Sequence, residues 1–147
     1  ITGTPSFRGR RIEAGLLSAG QDFTNNTNPF SVGLGRFVDL DKTFYGKEKM
    51  IEKGVQSKCV TLLIDGPEDA DPWGREALFC DNLKVGRLTS GGFSVVFNKQ
   101  IGMGYVLNTH STVGQKLEVL ILGNRWPATI VEDSPYDPQN KNIRIDG

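Results

Sequence analysis

The clearest hairpin in the sequence lies in residues 117–131, which read LEVLILGNRWPATIV. Leucine, valine and isoleucine occupy alternate positions around Glu118, so one face of the first strand can be buried. The Gly123-Asn124 pair predicts the turn, and the threonine, isoleucine and valine after it are typical of a second strand. Residues 117–131 therefore predict two antiparallel strands.

Shorter apolar segments separated by turn residues precede this hairpin. A strand is predicted over residues 58–64, a hairpin over 77–88 with its turn at Asp81-Asn82, a glycine-containing bend over 89–94, and strands over 95–97 and 101–106. Gly102 and Gly104, inside the last of these strands, predict either a close approach of neighbouring backbone or a β-bulge. Several short strands in this order indicate an antiparallel β-barrel or β-sandwich.

The first part of the chain has a different pattern. Residues 1–9 are rich in Gly, Ser, Thr and Pro and predict a loop, and Pro29 is expected to begin a helical turn that Gly35 ends. A short strand is predicted over residues 36–40, and a charged helix over residues 44–54 ends at a glycine. The chain therefore divides near residue 56 into a partial α/β piece and an all-β module.

Composition narrows the functional classes. The 147 residues have a formal net charge of +0, which gives no global field toward nucleic acid or an anionic membrane. No apolar run approaches the roughly 18–20 residues that a membrane-spanning helix needs. The first residues lack the features of a signal peptide and an initiator methionine, so we expect the sequence to begin inside a longer polypeptide.

The residues that most often bind metals are few and scattered. Cys59 and Cys80 each lie in an apolar segment, as free buried thiols do, and indicate a reducing, cytoplasmic setting. His110 is the sole histidine and has no cysteine or acid at ligand spacing. We expect no metal site.

A carboxylate between hydrophobic residues is the strongest candidate for function. Residues 10–16 read RRIEAGL, and an acid in such a setting needs partners because its burial is costly. Glu13 is open to two interpretations. It forms a structural ion pair with Arg10 or Arg11, or its two oxygens bind a planar N–H/NH₂ edge of the kind that aminopyrimidine and pterin rings carry.

The order of several motifs resembles the aminomethyltransferase (glycine-cleavage T-protein) family of tetrahydrofolate-dependent enzymes. Near the start, RIEAGL with Gly20 and Asp22 is similar to the R-x-E-A-G-L…G-x-D signature of the family. Further matches are PFSVGL (residues 29–34), FYGKE (44–48), VGRLTSG (85–91), KQIGMGYV (99–106) and PYDP (135–138). Together the matches run from about residue 9 to 145.

The resemblance implies a fold and a set of ligand residues. The whole chain would be an α+β fragment. Residues 1–56 would be the C-terminal part of the folate-binding domain, and residues 57–147 would be the C-terminal β-barrel domain. Glu13 matches the acid that binds the pterin ring, while Lys42 and Tyr136 fall near further folate-binding positions. Catalytic residues are expected upstream, so we expect the chain alone to bind folate weakly or not at all.

The resemblance also implies an activity and its partners. The family transfers a one-carbon unit to tetrahydrofolate, and in the T-protein a methylene group comes from an aminomethyl group on a lipoyl carrier protein. Other branches demethylate methyl donors onto tetrahydrofolate, or form the folate half of dimethylglycine and sarcosine dehydrogenases. An alternative of another class is a non-catalytic β-barrel that binds a partner.

Overall fold

A computed structural model describes residues 3–139 and 141–142, and its centre is a closed antiparallel barrel. The strands are β1 (Ser57–Ile64), β2 (Ala77–Cys80), β3 (Leu83–Ser94), β4 (Lys99–Leu107), β5 (Lys116–Ile121) and β6 (Asn124–Val131), arranged around the barrel in the order β1-β4-β3-β2-β5-β6. The predicted antiparallel β architecture is confirmed, and it is a barrel rather than a sandwich. Residue 147, where the predicted barrel domain ends, lies outside the described residues.

The hairpin of β5 and β6 closes the barrel against β1. Val119 pairs with Trp126, and the alternating side chains of Leu117, Val119 and Ile121 are all buried. Leu122 and Gly123 form the turn, one residue earlier than predicted, because these two residues have the positive φ angles of 48° and 82° that a two-residue hairpin turn requires.

The barrel interior is the main hydrophobic core. Its buried side chains come from all six strands. They are Val60, Leu62, Ile64, Leu78, Val85, Leu88, Val106, Leu117, Val119, Ile121, Ala128 and Ile130. Gly104 allows β4 to approach β3, since a Cβ there would lie 2.5 Å from the carbonyl oxygen of Arg87. Of the two alternatives predicted for this glycine, the structure therefore shows the close approach.

The bend predicted over residues 89–94 is wrong, because β3 runs through these residues to Ser94. The glycines serve close packing instead: a Cβ on Gly91 would lie 2.5 Å from the carbonyl oxygen of Pro72. The strand predicted over residues 95–97 is also wrong. These residues belong to the turn between β3 and β4, and Val95 and Val96 are exposed there.

Helix α1 (Thr4–Glu13) replaces the loop predicted over residues 1–9, of which residues 1–2 are not described. Pro5 stands in its first turn, where a fixed φ and a missing N–H are tolerated. The helix packs on β3 so closely that a Cβ on Gly9 would lie 2.2 Å from the carbonyl oxygen of Phe93. This tertiary contact outweighs the weak helix propensity of the segment.

The remaining residues before β1 form short elements. Two 3₁₀ turns cover Pro29–Val32 and Leu34–Phe37, and helix α2 covers Lys47–Lys53 with Gly54 as its C-cap. The helical turn beginning at Pro29 and the glycine-ended helix are therefore confirmed, although Gly33 rather than Gly35 caps the first turn. The strand predicted over residues 36–40 is wrong, because the described strands form one ring to which this segment adds no partner.

A second, smaller cluster attaches α1 to the outside of the barrel. Ile12 is fully buried against Ile101 and Met103 of β4, with Leu17, Cys59 and Leu63 packed around them. Because Ile12 precedes Glu13, the same contact that buries the helix end also holds the glutamate against the barrel wall.

Candidate functional site

Glu13, the last residue of α1, is 98% buried and has two unlike contacts. Its Oε1 accepts a hydrogen bond of 2.5 Å from the Ser94 hydroxyl at the end of β3. Its Oε2 lies 3.5 Å from Nη1 of Arg10, whose side chain is 58% exposed. An exposed partner at that distance compensates a buried carboxylate weakly. Oε2 is therefore the less committed oxygen.

Arg11, the other candidate partner of Glu13, is paired elsewhere. Its Nη1 lies 2.7 Å from Oδ2 of Asp22, and both side chains are nearly inaccessible to solvent. Asp22 also accepts hydrogen bonds from the hydroxyls of Thr89 and Ser90 on β3. The ion-pair interpretation therefore applies to Arg10 only, and the bonds of Thr89 and Ser90 to Asp22 fasten the first part of the chain to the barrel.

A cavity of about 350 Å³ opens beside Glu13. Its lining residues are Pro5, Ser6, Arg10, Glu13, Asp71, Phe93 and Val95. This volume is at the lower end of those that bind small molecules, about 300–1,000 Å³. A buried carboxylate beside apolar side chains is suited to a flat ring whose edge donates hydrogen bonds.

The loop between β1 and β2 brings Asp71 to this cavity. Nε2 of Gln100 on β4 donates to the carbonyl oxygens of Pro67 and Ala70, at 2.7 and 2.6 Å. These bonds hold the loop on the barrel. Asp71, Phe93 and Ser94 were not among the residues predicted to form a site. The bend wrongly predicted over residues 89–94 concealed the last two, because residues of a bend have no assigned face.

Tyr136 lies next to Glu13 through the backbone. Its N–H donates to the carbonyl oxygen of Glu13 at 3.1 Å. The residue is 41% exposed, and its hydroxyl accepts a hydrogen bond of 3.4 Å from Nδ2 of Asn142. The ring is not among the described residues that line the cavity. The structure therefore brings Tyr136 to the end of α1 without placing its side chain in the cavity.

Lys42 stands in an exposed loop before α2. Its side chain is 78% exposed, and its Nζ lies 3.4 Å from Oδ2 of Asp39. Neither residue contributes to the described lining of the Glu13 cavity. Of the three predicted folate-binding residues, the structure brings Glu13 and Tyr136 together and leaves Lys42 apart.

A second cavity, of about 340 Å³, is lined by residues that follow α1 and by Cys59 and Asp133. Burial raises the pKa of the Cys59 thiol to about 12, and the negative charges of Asp22 and Asp133 act in the same direction. Burial also raises the pKa of Asp133. A thiol that keeps its proton at neutral pH is a poor nucleophile, so Cys59 is a packing residue.

Within residues 3–139 and 141–142, no three His, Cys, Asp or Glu side chains converge as ligands of a metal ion would. No helix in this part of the chain is long and apolar enough to span a bilayer.

The fold has a counterpart among known proteins. The family model described as the glycine cleavage T-protein C-terminal barrel domain matches residues 58–137. The chain therefore belongs to the glycine cleavage T-protein family, in agreement with the resemblance of its motifs.

Individual relatives extend the similarity to α1 and the segments after it. Dimethylglycine dehydrogenase, mitochondrial, of Rattus norvegicus is 32% identical over 154 aligned positions that cover 99% of this chain. The aminomethyltransferase of Thermotoga petrophila is 37% identical over 142 positions that cover 92% of it. The crystal structure of glycine cleavage system aminomethyltransferase T from Bartonella henselae superposes with a TM-score of 0.80 and 26% identity over 90% of the chain.

The chain corresponds to a part of each of these proteins. It spans 18% of the rat dehydrogenase, 38% of the Thermotoga petrophila enzyme and 38% of the Bartonella henselae chain.

Proposed function

We propose that this chain is the C-terminal part of a tetrahydrofolate-dependent one-carbon transferase, most like the aminomethyltransferases, and that Glu13 binds the pterin ring. One observation carries the proposal: a 98% buried carboxylate borders a cavity, with one oxygen bonded to Ser94 and the other weakly paired. Such a group has unused acceptor capacity toward a planar N–H/NH₂ edge.

The residues around this cavity fit the N–H/NH₂ edge of a reduced folate. A carboxylate has about four lone-pair sites; Ser94 uses one on Oε1 and the long Arg10 contact one on Oε2, so each oxygen of Glu13 keeps a lone pair for a bidentate contact. Phe93 and Val95 supply apolar surface beside it. When bound, tetrahydrofolate would supply the nitrogen atoms that accept the one-carbon unit. The role of Glu13 is to bind and orient the ring.

Tyr136 and Lys42 have secondary roles in this proposal. The 3.1 Å backbone bond to Glu13 supports a contribution of Tyr136 to the same ligand. Lys42 would meet the folate from a more distant position, and its exposed charge is suited to an anionic group. In this proposal the catalytic residues lie upstream, since the described part of the chain provides groups that bind a ligand rather than a group that reacts with it.

The division of the chain and its surroundings belong to the same proposal. Residues 1–56 would end the folate-binding domain, residues 57–147 would form the barrel domain, and the remainder of the polypeptide would complete the folate site. The partners are folate and a small methyl or aminomethyl donor, which a lipoyl carrier protein would deliver in the aminomethyltransferase reading. Two free cysteines fit a reducing, cytoplasmic setting, while the similar dimethylglycine dehydrogenases are mitochondrial.

A second candidate is the folate half of a dimethylglycine or sarcosine dehydrogenase, or a folate-dependent demethylase. The 32% identity to the rat dehydrogenase over nearly the whole chain favours it as a specific alternative. The non-catalytic binding module has less support, because a mere scaffold does not need a buried acid beside a cavity.

Two measurements on the full-length gene product test the proposal. Calorimetry should detect tetrahydrofolate binding, and one-carbon transfer should follow with one member of a panel of methyl and aminomethyl donors. Transfer from an aminomethyl-lipoyl donor supports the first candidate, and oxidation of dimethylglycine or sarcosine supports the second. Absence of folate binding would leave only the binding module.

A further inference from the structure

We infer that Ser94 is a positioning residue for the folate site: it fixes the carboxylate of Glu13, so that the barrel contributes directly to ligand binding. This inference rests on the proposed function. Ser94 ends β3 and is fully buried. Its Oγ lies 2.5 Å from Oε1 of Glu13, although the two residues belong to different parts of the chain.

The direction of this hydrogen bond follows from its neighbour. The backbone N–H of Phe97, in the turn after β3, donates to Oγ of Ser94 at 3.2 Å. A hydroxyl that accepts from an amide on one side turns its own proton toward the acceptor on the other side. The Ser94 proton therefore points to Glu13. Two consecutive hydrogen bonds therefore connect the turn, through Ser94, to the glutamate.

These two hydrogen bonds orient the carboxylate of Glu13 before a ligand binds. A glutamate side chain has several rotatable bonds, and fixing it during binding costs affinity. The contact of Arg10 at 3.5 Å comes from a side chain that is 58% exposed and restrains the carboxylate weakly. Ser94 is buried at the end of a strand and is hydrogen-bonded on both sides, so it is the group that fixes the position of Oε1, one of the two oxygens that would meet a ring edge.

The chain offers a matched control on the same strand. Ser90 is 1% exposed and also donates its hydroxyl to a carboxylate from the first part of the chain, that of Asp22. Asp22 belongs to the Arg11 ion pair and not to the described lining of the Glu13 cavity. Ser94→Ala and Ser90→Ala therefore remove the same group from similar surroundings, and only the first touches the proposed site.

The test measures the Kd of tetrahydrofolate for the full-length gene product and, separately, the urea midpoint of each variant. Ser94→Ala should raise the Kd about tenfold, the usual effect of a lost hydrogen bond to a charged group. Ser94→Thr, which keeps the hydroxyl, should restore it, and Ser90→Ala should lower the urea midpoint while leaving the Kd within about twofold. In a Glu13→Gln background, Ser94→Ala should add less than about twofold, because the residue acts through the glutamate.

Separate outcomes overturn the inference and the function on which it rests. A wild-type Kd for Ser94→Ala, or an equal loss in the Glu13→Gln background, refutes the positioning role while folate binding by Glu13 stands. A wild-type Kd for Glu13→Gln refutes the proposed pterin-binding role of Glu13, and absence of tetrahydrofolate binding by the wild-type protein refutes the proposed function itself. If Ser94→Ala does not fold, Ser94→Cys replaces it with a weaker donor of similar size, and its Kd should still exceed that of Ser94→Thr.

Discussion

The Cα of Gly9 in α1 faces the carbonyl oxygen of Phe93 on β3 at a distance that leaves no room for a side chain. A Cβ at Gly9 would lie 2.2 Å from that oxygen, well inside van der Waals contact. Since Glu13 ends the same helix and Ser94 follows Phe93 in the strand, this contact sets the distance between the two polar residues.

Gly9→Ala should therefore weaken both the fold and the site. Alanine favours a helix by about 1 kcal/mol over glycine, but the clash with backbone forces α1 away from β3 and should cost about 1–3 kcal/mol. Urea unfolding measures the net loss, and folate affinity should fall with it. Gly92→Ala is the control, since its Cβ would be 3.5 Å from the nearest atom. Equal stability of the two variants would contradict the close approach.

The Arg11–Asp22 pair should be essential to the fold. Asp22→Asn leaves the guanidinium of Arg11 buried without a counter-charge, so we expect a loss of about 3–5 kcal/mol in the free energy of unfolding. Asp41→Asn, at an exposed position, should change it by less than about 0.5 kcal/mol. A small effect of Asp22→Asn in urea unfolding would show that the pair is dispensable.

The Cys59 thiol should resist alkylation in the folded protein. Burial raises the pKa of Cys59 to about 12, so its thiolate fraction should keep rising tenfold per pH unit well above about pH 8.5, where that of an ordinary thiol levels off. Iodoacetamide labelling followed by mass spectrometry should therefore be slow at about pH 8 and fast after unfolding in urea. Labelling of native Cys59 at the rate of a free cysteine would be inconsistent with this burial.

The same shift predicts a pH dependence of stability. The folded state holds the Cys59 proton to higher pH than the unfolded state, so the unfolded state releases it first as pH rises. The contribution of this group is complete below the unfolded pKa of about 8.5 and is lost as pH rises toward about 12. Comparison with Cys59→Ser across this interval isolates the effect.

The contributions of the Tyr136 backbone and side chain can be tested separately. Every substitution except proline keeps the backbone N–H that bonds to Glu13, whereas the side chain of this 41% exposed residue can be changed separately. If the ring contacts folate, Tyr136→Ala should raise the Kd about fivefold, while Tyr136→Phe, which keeps the ring, should change it by less than about twofold. A wild-type Kd for Tyr136→Ala would limit this residue to its backbone contact.

Local patterns were sufficient to predict most of the barrel. Alternation in β5, the Asp81-Asn82 turn and the glycines of β4 act between neighbouring residues or neighbouring strands, so the sequence displays them directly. Helix α1 was missed because its stability depends on the contact of Gly9 with β3, which no local pattern reveals. Glu13 was recognised as a buried acid, but its partner Ser94 was not, since a hydrogen bond between distant segments leaves no periodic signal.

The central claim is that Glu13 binds the edge of a reduced pterin, and the Glu13→Gln variant tests it most directly. Glutamine can still accept from Ser94, but its amide N–H₂ faces the donors of the ring, so two donors oppose each other. Calorimetry on the full-length gene product should show folate affinity weakened by about 1–3 kcal/mol, with the urea midpoint nearly retained. Glu52→Gln, exposed in α2, should leave the affinity unchanged. An unaltered Kd for Glu13→Gln would contradict the claim and return Glu13 to a structural role.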